Sequence, residues 1–240
     1  MKSKDFKKLA LSQLKGKWGA VIVALLIPTL VIVAVSMITT TPTTVYNIVY
    51  GGTSYRGTYF INSVLFSALS FVGSIAQFVV SAVIGYGMCR YILKFVRKGS
   101  ADIGEPFSGF TSGGEIFGRA LMLLLLESVF TFLWMLLFFI PGIIASYRYK
   151  MAFYILADND NMTASEALEA SKEMMRGHKW GLFKLHLSFI GWIILASLTF
   201  GIGYIFLVPY ILTAEANFYE YLRGIRDNQQ QQFAAYNTQI

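Results

Sequence analysis

The run AVIVALLIPTLVIVAVSMI, residues 20–38, contains no charge over 19 residues. That length suits a helix crossing a bilayer, which needs about 20 residues, and is far longer than a typical strand of about 5–6. A basic start precedes it, as in a secretory leader, but a leader's apolar region takes only about 7–15 residues. The run therefore reads as an uncleaved first span. Further apolar stretches follow at 60–96, 117–139, 181–199 and 203–222, the last two divided by FGIG. Composition agrees: 55 % of residues are apolar, 14 % are charged and the mean hydropathy is +0.56. A soluble domain carries about 25 % charged residues. The expected fold class is all-α, a polytopic membrane helical bundle.

Charge decides how many times the chain crosses. Residues 142–157 contain Arg148 and Lys150 and would fail a hydropathy threshold. If they cross, the spans are about 18–38, 60–90, 117–139, 142–157, 181–199 and 203–222. In that arrangement 17 of the 20 Lys/Arg fall on one side, Arg56 falls on the other, and Arg148 and Lys150 lie within a span. If they do not, the charged stretch 158–184 lies outside, against the positive-inside bias. The expectation is one membrane domain with six transmembrane helices as three hairpins, both termini cytoplasmic and a polar tail at 223–240. Pro141-Gly142 would be the outer turn of the second hairpin.

A net charge of +7 would suggest nucleic acid in a soluble protein. Here the cations flank apolar spans and no recognition motif accompanies them, so the expected partners are anionic lipid headgroups on the cytoplasmic side, with no nucleic acid.

Two strings recur at polar-to-apolar boundaries, LKGKWG at 14–19 and MRGHKWG at 175–181. Each follows an amphipathic segment. Residues 2–14 place Phe6, Leu9 and Ala10 at helical spacing. Residues 163–176 place Ala167, Leu168, Ser171, Met174 and Met175 on one stripe, opened by Thr163 and Glu166 at capping-box spacing. Both segments read as helices lying on the cytoplasmic leaflet, the second having the alternative of packing beneath the bundle. Gly16 and Gly177 let the chain turn after them, and Trp18 and Trp180 mark the interface. These four form an interfacial hinge. A looser counterpart, PFSGFTSGGEIFGRAL, precedes the third span. The inward helices echo one another as YGMCRYIL, YRYKMAFYIL and YILTAEANFYEYL, so the chain reads as three units of surface segment plus hairpin.

The run from FFIPGIIASYRYKMAFYILADND through MRGHKWGLFKLHLSFIGWIILASLTFGIG to VPYILTAEANFYEYL, with ALSQLKGKWG near the start, resembles a family of bacterial integral membrane proteins. The family is mostly Gram-positive and is catalogued only as a domain of unknown function. The layout is also loosely similar to the membrane domain fused to some glycerophosphodiester phosphodiesterases, whose catalytic domain this chain lacks. The resemblance implies a multi-pass protein of the bacterial cytoplasmic membrane and assigns no activity.

Other motifs carry little chemistry. SGFTSGGE at 108–115 lacks the Lys-Ser/Thr ending of a phosphate-binding loop. Two histidines and one cysteine lie far apart, so no metal site and no cofactor is expected. β-prone runs flank Gly51-Gly52, as a short hairpin lid or an outer aromatic belt. Ser63 with Ser67, and Ser81 with Gly85, have small-residue spacing that suits close helix packing or a pore lining.

Five charged or titratable residues fall within the spans. Counted from the cytoplasmic ends at ~1.5 Å per residue, Glu127, Lys150, His186 and Glu215 lie at similar depth, with Arg148 slightly further out. Isolated charges there cost about 2.5–3.5 kcal/mol on insertion scales, so a shared polar layer is expected, with Lys150 or Arg148 paired to Glu127 and Glu215. Three functions fit: a non-enzymatic bundle that organises or senses the membrane or supports a partner complex, a small transporter or lipid-handling protein, or an intramembrane enzyme. No nucleophile–base pair or paired carboxylates favour the last, and no enzyme activity is expected.

Overall fold

The structure, a computed structural model, describes residues 2–50, 56–137 and 139–238, with side chains described for all of these except 38–50, 56–63, 66, 137, 139 and 228–238. The described residues contain helices and no strand. In order they are α1 (Ser3–Leu14), α2 (Trp18–Tyr50), α3 (Arg56–Lys98), a 3-10 turn (Glu105–Phe107), α4 (Ser108–Thr111), α5 (Gly114–Leu137), α6 (Phe139–Tyr149), α7 (Ala152–Asp158), α8 (Ala164–Met174), α9 (Lys179–Leu187), α10 (Ile190–Leu198) and α11 (Tyr204–Thr238).

Among the described residues, four segments are long and apolar enough to cross a membrane: Trp18–Met37, Ser67–Lys98, Gly114–Leu136 and Lys179–Leu198. The stretches 142–157 and 203–222, also expected to cross, are not among them. The reason lies in their chemistry. The first breaks between α6 and α7, and the second becomes polar from Thr213 onward, with Glu215, Asn217 and Glu220.

The core is concentrated at one end. Tyr86, Tyr91 and Leu93 of α3, Leu156 of α7, Met175 after α8, Tyr219 of α11 and Leu14 of α1 are all at most 2 % exposed. Toward the opposite end α3, α5 and α10 expose their apolar side chains: Leu65, Phe71, Leu136 and Leu198 are 65–74 % accessible. α2 packs along α3, α5 along α6, and α11 against α10 and α1.

Several boundaries differ from the sequence reading. Pro141 and Gly142 belong to the first turn of α6, where proline's missing N–H costs no bond. Gly142 lets α6 approach α5, since a Cβ there would stand 2.8 Å from the Met135 Cα. The polar tail continues α11 as helix to Thr238. The expected hairpin lid fails where its flanks are described: α2 runs to Tyr50 and α3 begins at Arg56. Gly51 and Gly52 themselves lie outside the described residues, as does the Ser63 side chain. Gly85 rests on Phe153, but the close approach comes two residues later: a Cβ on Gly87 would be 2.0 Å from the Pro106 carbonyl oxygen.

α8 forms with its capping box. The Thr163 hydroxyl accepts from the Glu166 N–H (3.3 Å) and the Glu166 carboxylate accepts from the Thr163 N–H (2.8 Å). Its apolar stripe is turned into the protein: Ala164, Ala167, Leu168, Ser171 and Met174 are buried, with α8 packed on α5, α6 and α7. α1 likewise buries Phe6, Ala10 and Leu14, with Phe6 edge-on to Phe218 and Tyr221 of α11, yet leaves Leu9 and Leu11 exposed.

Candidate functional site: a buried carboxylate and its clasp

The expected polar layer divides. Glu215 of α11 is buried, its side chain 5 % exposed. One carboxylate oxygen lies 2.7 Å from His186 Nε2; the other lies 3.4 Å from the Tyr154 hydroxyl and 3.8 Å from Lys150 Nζ. His186 Nδ1 lies 3.1 Å from the Tyr147 hydroxyl. The tautomer that satisfies both contacts has Nε2–H donating to Glu215 and Nδ1 accepting from Tyr147. Lys150 supplies the positive charge, and its own side chain is 44 % exposed. α7, α9 and the Lys150 turn thus meet on one carboxylate from α11, and α6 joins them through the Tyr147–His186 contact.

The other two expected members stand apart. Among the described residues none makes an ion pair or side-chain hydrogen bond with Glu127 of α5, although it lies within electrostatic range of Lys150. Arg148 lies within electrostatic range of Lys179. Its carbonyl accepts from the Ser171 hydroxyl of α8 at 3.0 Å.

Helix breaks surround the cluster. The chain turns at Lys150-Met151 between α6 and α7, and at Ser188-Phe189 between α9 and α10. A break frees carbonyls that must find donors. The two lead-in helices supply them. Ser171 of α8 bonds the Arg148 carbonyl, and Lys7 of α1 bonds the Ser188 carbonyl at 3.0 Å. α11 carries Pro209 within its length, and the Thr213 hydroxyl bonds the Pro209 carbonyl at 2.7 Å.

The hinge residues take defined conformations. Gly16 has φ +76° and Gly177 φ +82°, the left-handed region that glycine enters without penalty. A third glycine, Gly113, has φ +100° at the matching place, between α4 and α5. The second unit therefore has the same junction as the first and third. The tryptophans differ: Trp18 faces Phe206 with ring centres 6.3 Å apart, whereas Trp180 is 61 % exposed and stacks on Phe183.

A second charged group escaped the sequence reading. Asp158 accepts from Arg97 (2.6 Å) and Tyr219 (3.0 Å) and pairs with Arg223 (3.3 Å). Asp160 accepts from Tyr86 (2.6 Å) and Arg90 (2.7 Å), and its carbonyl accepts from Arg119. Glu105 pairs with Arg90 and Lys94, and Glu220 with Arg97. The signal was present. The cations at 90–98 had been used for orientation alone, while the acids of ADND at 157–160, expected on the same side, went uncounted.

Burial alone would raise the Asp158 carboxyl, but the hydrogen bonds from Arg97 and Tyr219 outweigh it and hold the group below the ordinary carboxylate range.

The family described as "Protein of unknown function (DUF975)" matches residues 1–144 and 135–226, and the chain belongs to it. No curated protein and no solved structure matches the chain.

Proposed function

From membership of a family without an assigned role, we propose that this chain is a non-enzymatic integral protein of the bacterial cytoplasmic membrane that organises or senses the membrane, or supports a partner complex. It crosses six times as three hairpins with both termini in the cytoplasm, and anionic lipid headgroups meet its inner face. The observation that carries the scaffold reading is the Glu215 carboxylate. It is enclosed, and groups from three other parts of the chain take up both its oxygens. An ionic group saturated in this way clasps elements together rather than waiting for a cargo.

The clasp is tested by a double-mutant cycle in detergent. Glu215→Gln should cost about 2 kcal/mol, discounted from the 3–5 of a fully buried pair because Lys150 is partly exposed. Adding Lys150→Met should return part of the loss. Additive losses would mean that the two are not partners.

Topology is tested separately. With Cys89 replaced, single cysteines at 55, 110, 160 and 235 are exposed to an impermeant maleimide on whole cells. Only 55 should react; labelling at 160 would remove the fourth crossing.

The helix breaks around the cluster favour a second reading, a small transporter or lipid-handling protein, because interrupted helices beside charged groups are how transporters build binding sites. Retained stability with a lost envelope phenotype in the Glu215 variant would favour it.

A further inference from the structure

One apolar groove differs from the rest of the membrane-facing surface. It has a volume of 400 Å³ and lies where α10, α11 and the start of α2 meet beneath α1. Trp192 and Leu195 of α10, with Thr199 just after it, present one stripe to it; Phe206 and Tyr210 present the matching stripe of α11. Leu11 of α1 and Trp18 of α2 close it on the side of the polar end. The two walls cannot collapse onto each other along their whole length. α10 and α11 touch at the Ala196–Gly203 approach, where a Cβ on Gly203 would lie 2.7 Å from the Ala196 Cα, and again at the edge-on Phe189–Tyr210 contact.

The lining itself holds no cation, but Lys7 stands next to it. Lys7 precedes Leu11 by one helical turn, so the two share a face of α1. Its ammonium bonds the Ser188 carbonyl and sits 4.6 Å from the centre of the Phe189 ring, three residues before Trp192. No carboxylate among the described residues pairs with it. An ammonium has three donors, and the Ser188 bond uses one. The occupant that fits must be apolar along the groove and anionic at the Lys7 end.

We infer that this groove holds one acyl chain of an anionic phospholipid, with the lipid phosphate on Lys7. The inference rests on the apolar end of the protein lying in a bilayer, and it is independent of the six-span count and of the clasp.

Native mass spectrometry of the full chain, released from vesicles of phosphatidylglycerol and phosphatidylethanolamine, tests it. The wild type should retain one phosphatidylglycerol. Leu195→Trp, which fills the groove from a 54 % exposed position, should lose that adduct, while Leu198→Trp, outside the lining, should keep it. Lys7→Gln should reduce the preference for phosphatidylglycerol about fivefold, the worth of one cation near an anionic lipid surface. Equal retention in wild type and Leu195→Trp would overturn the inference, and so would a chain dimer in place of the lipid adduct. A second measurement needs no change in the groove. With Trp134 and Trp180 replaced by Phe, brominated phosphatidylglycerol should quench the remaining Trp18 and Trp192 at lower mole fraction than brominated phosphatidylethanolamine. Indistinguishable quenching would also overturn it.

Discussion

The two ends of α5 obey different rules. At the end near α8, Ala120 and Leu123 have no exposure at all, and Arg119 bonds the Asp160 carbonyl. At the other end, Phe132, Leu133 and Leu136 are 53–74 % exposed. α3 repeats the contrast, from exposed Leu65 and Phe71 to buried Tyr91 and Leu93. The polar end is stabilised by its own contacts, as in a soluble protein. The apolar end has a solvent instead of a partner: lipid tails are as apolar as leucine, so its side chains gain little by packing on each other.

Matched substitutions at the two ends sharpen or break this contrast, each read as stability in detergent. Leu156→Ala, at a position 1 % exposed in α7, should cost about 3 kcal/mol through lost contacts and a cavity. Leu133→Ala, 53 % exposed, should change stability by less than about 0.5 kcal/mol. Comparable losses would mean that the apolar end is packed after all.

A smaller effect separates two glycines. Gly87→Ala should cost about 2 kcal/mol, because the new methyl meets the backbone of Pro106, which has no flexible side chain to yield. Gly191→Ala, with open space around it, should be neutral or stabilise α10 by about 0.5–1 kcal/mol. A tolerated Gly87→Ala would show that the 105–111 segment is loosely held.

The smallest effect is a pH dependence confined to the polar end. The folded Asp158 carboxyl titrates below its unfolded value of about 3.9. Its contribution is therefore complete above that value and is lost as pH falls through the folded one. Melting curves between pH 6 and pH 3 should fall less steeply for Asp158→Asn than for wild type. Parallel curves would remove Asp158 from the acid response. No such slope should arise from substitutions at Leu133 or Gly191, which carry no charge.

Much of this was legible in the sequence, and what was missed shares a cause. Uncharged runs gave α2, α3 and α5 because a span is a local property of composition. The capping box at Thr163 and the turns at Gly16 and Gly177 were equally local. The breaks at Lys150-Met151 and Ser188-Phe189 carry neither glycine nor proline. The donor that steadies the second is Lys7, 181 positions away in the chain, so no window of sequence contains both halves of the feature. The site shows the same limit. Depth counting brought Lys150, His186 and Glu215 to one level, and the structure joins them. It could not say which way a side chain points around its helix, so it did not separate the groups in hydrogen-bond contact with Glu215 from Glu127, which lies only within electrostatic range of Lys150. Tyr147 and Tyr154 were missed because the tyrosine echo was read as repetition rather than as donors.

The junction glycines Gly16, Gly113 and Gly177 have no atom within 4 Å of a would-be Cβ, yet each holds a positive φ. They are selected by handedness and not by size. L-alanine, the smallest alternative, should cost about 1–2 kcal/mol at each, whereas a D-residue of any bulk that clears solvent should be accepted. A mutational map read from neighbour distances alone would mark all three as free positions. Chirality gives each of them a cost that no neighbour distance would show, and it does so three times at the same joint.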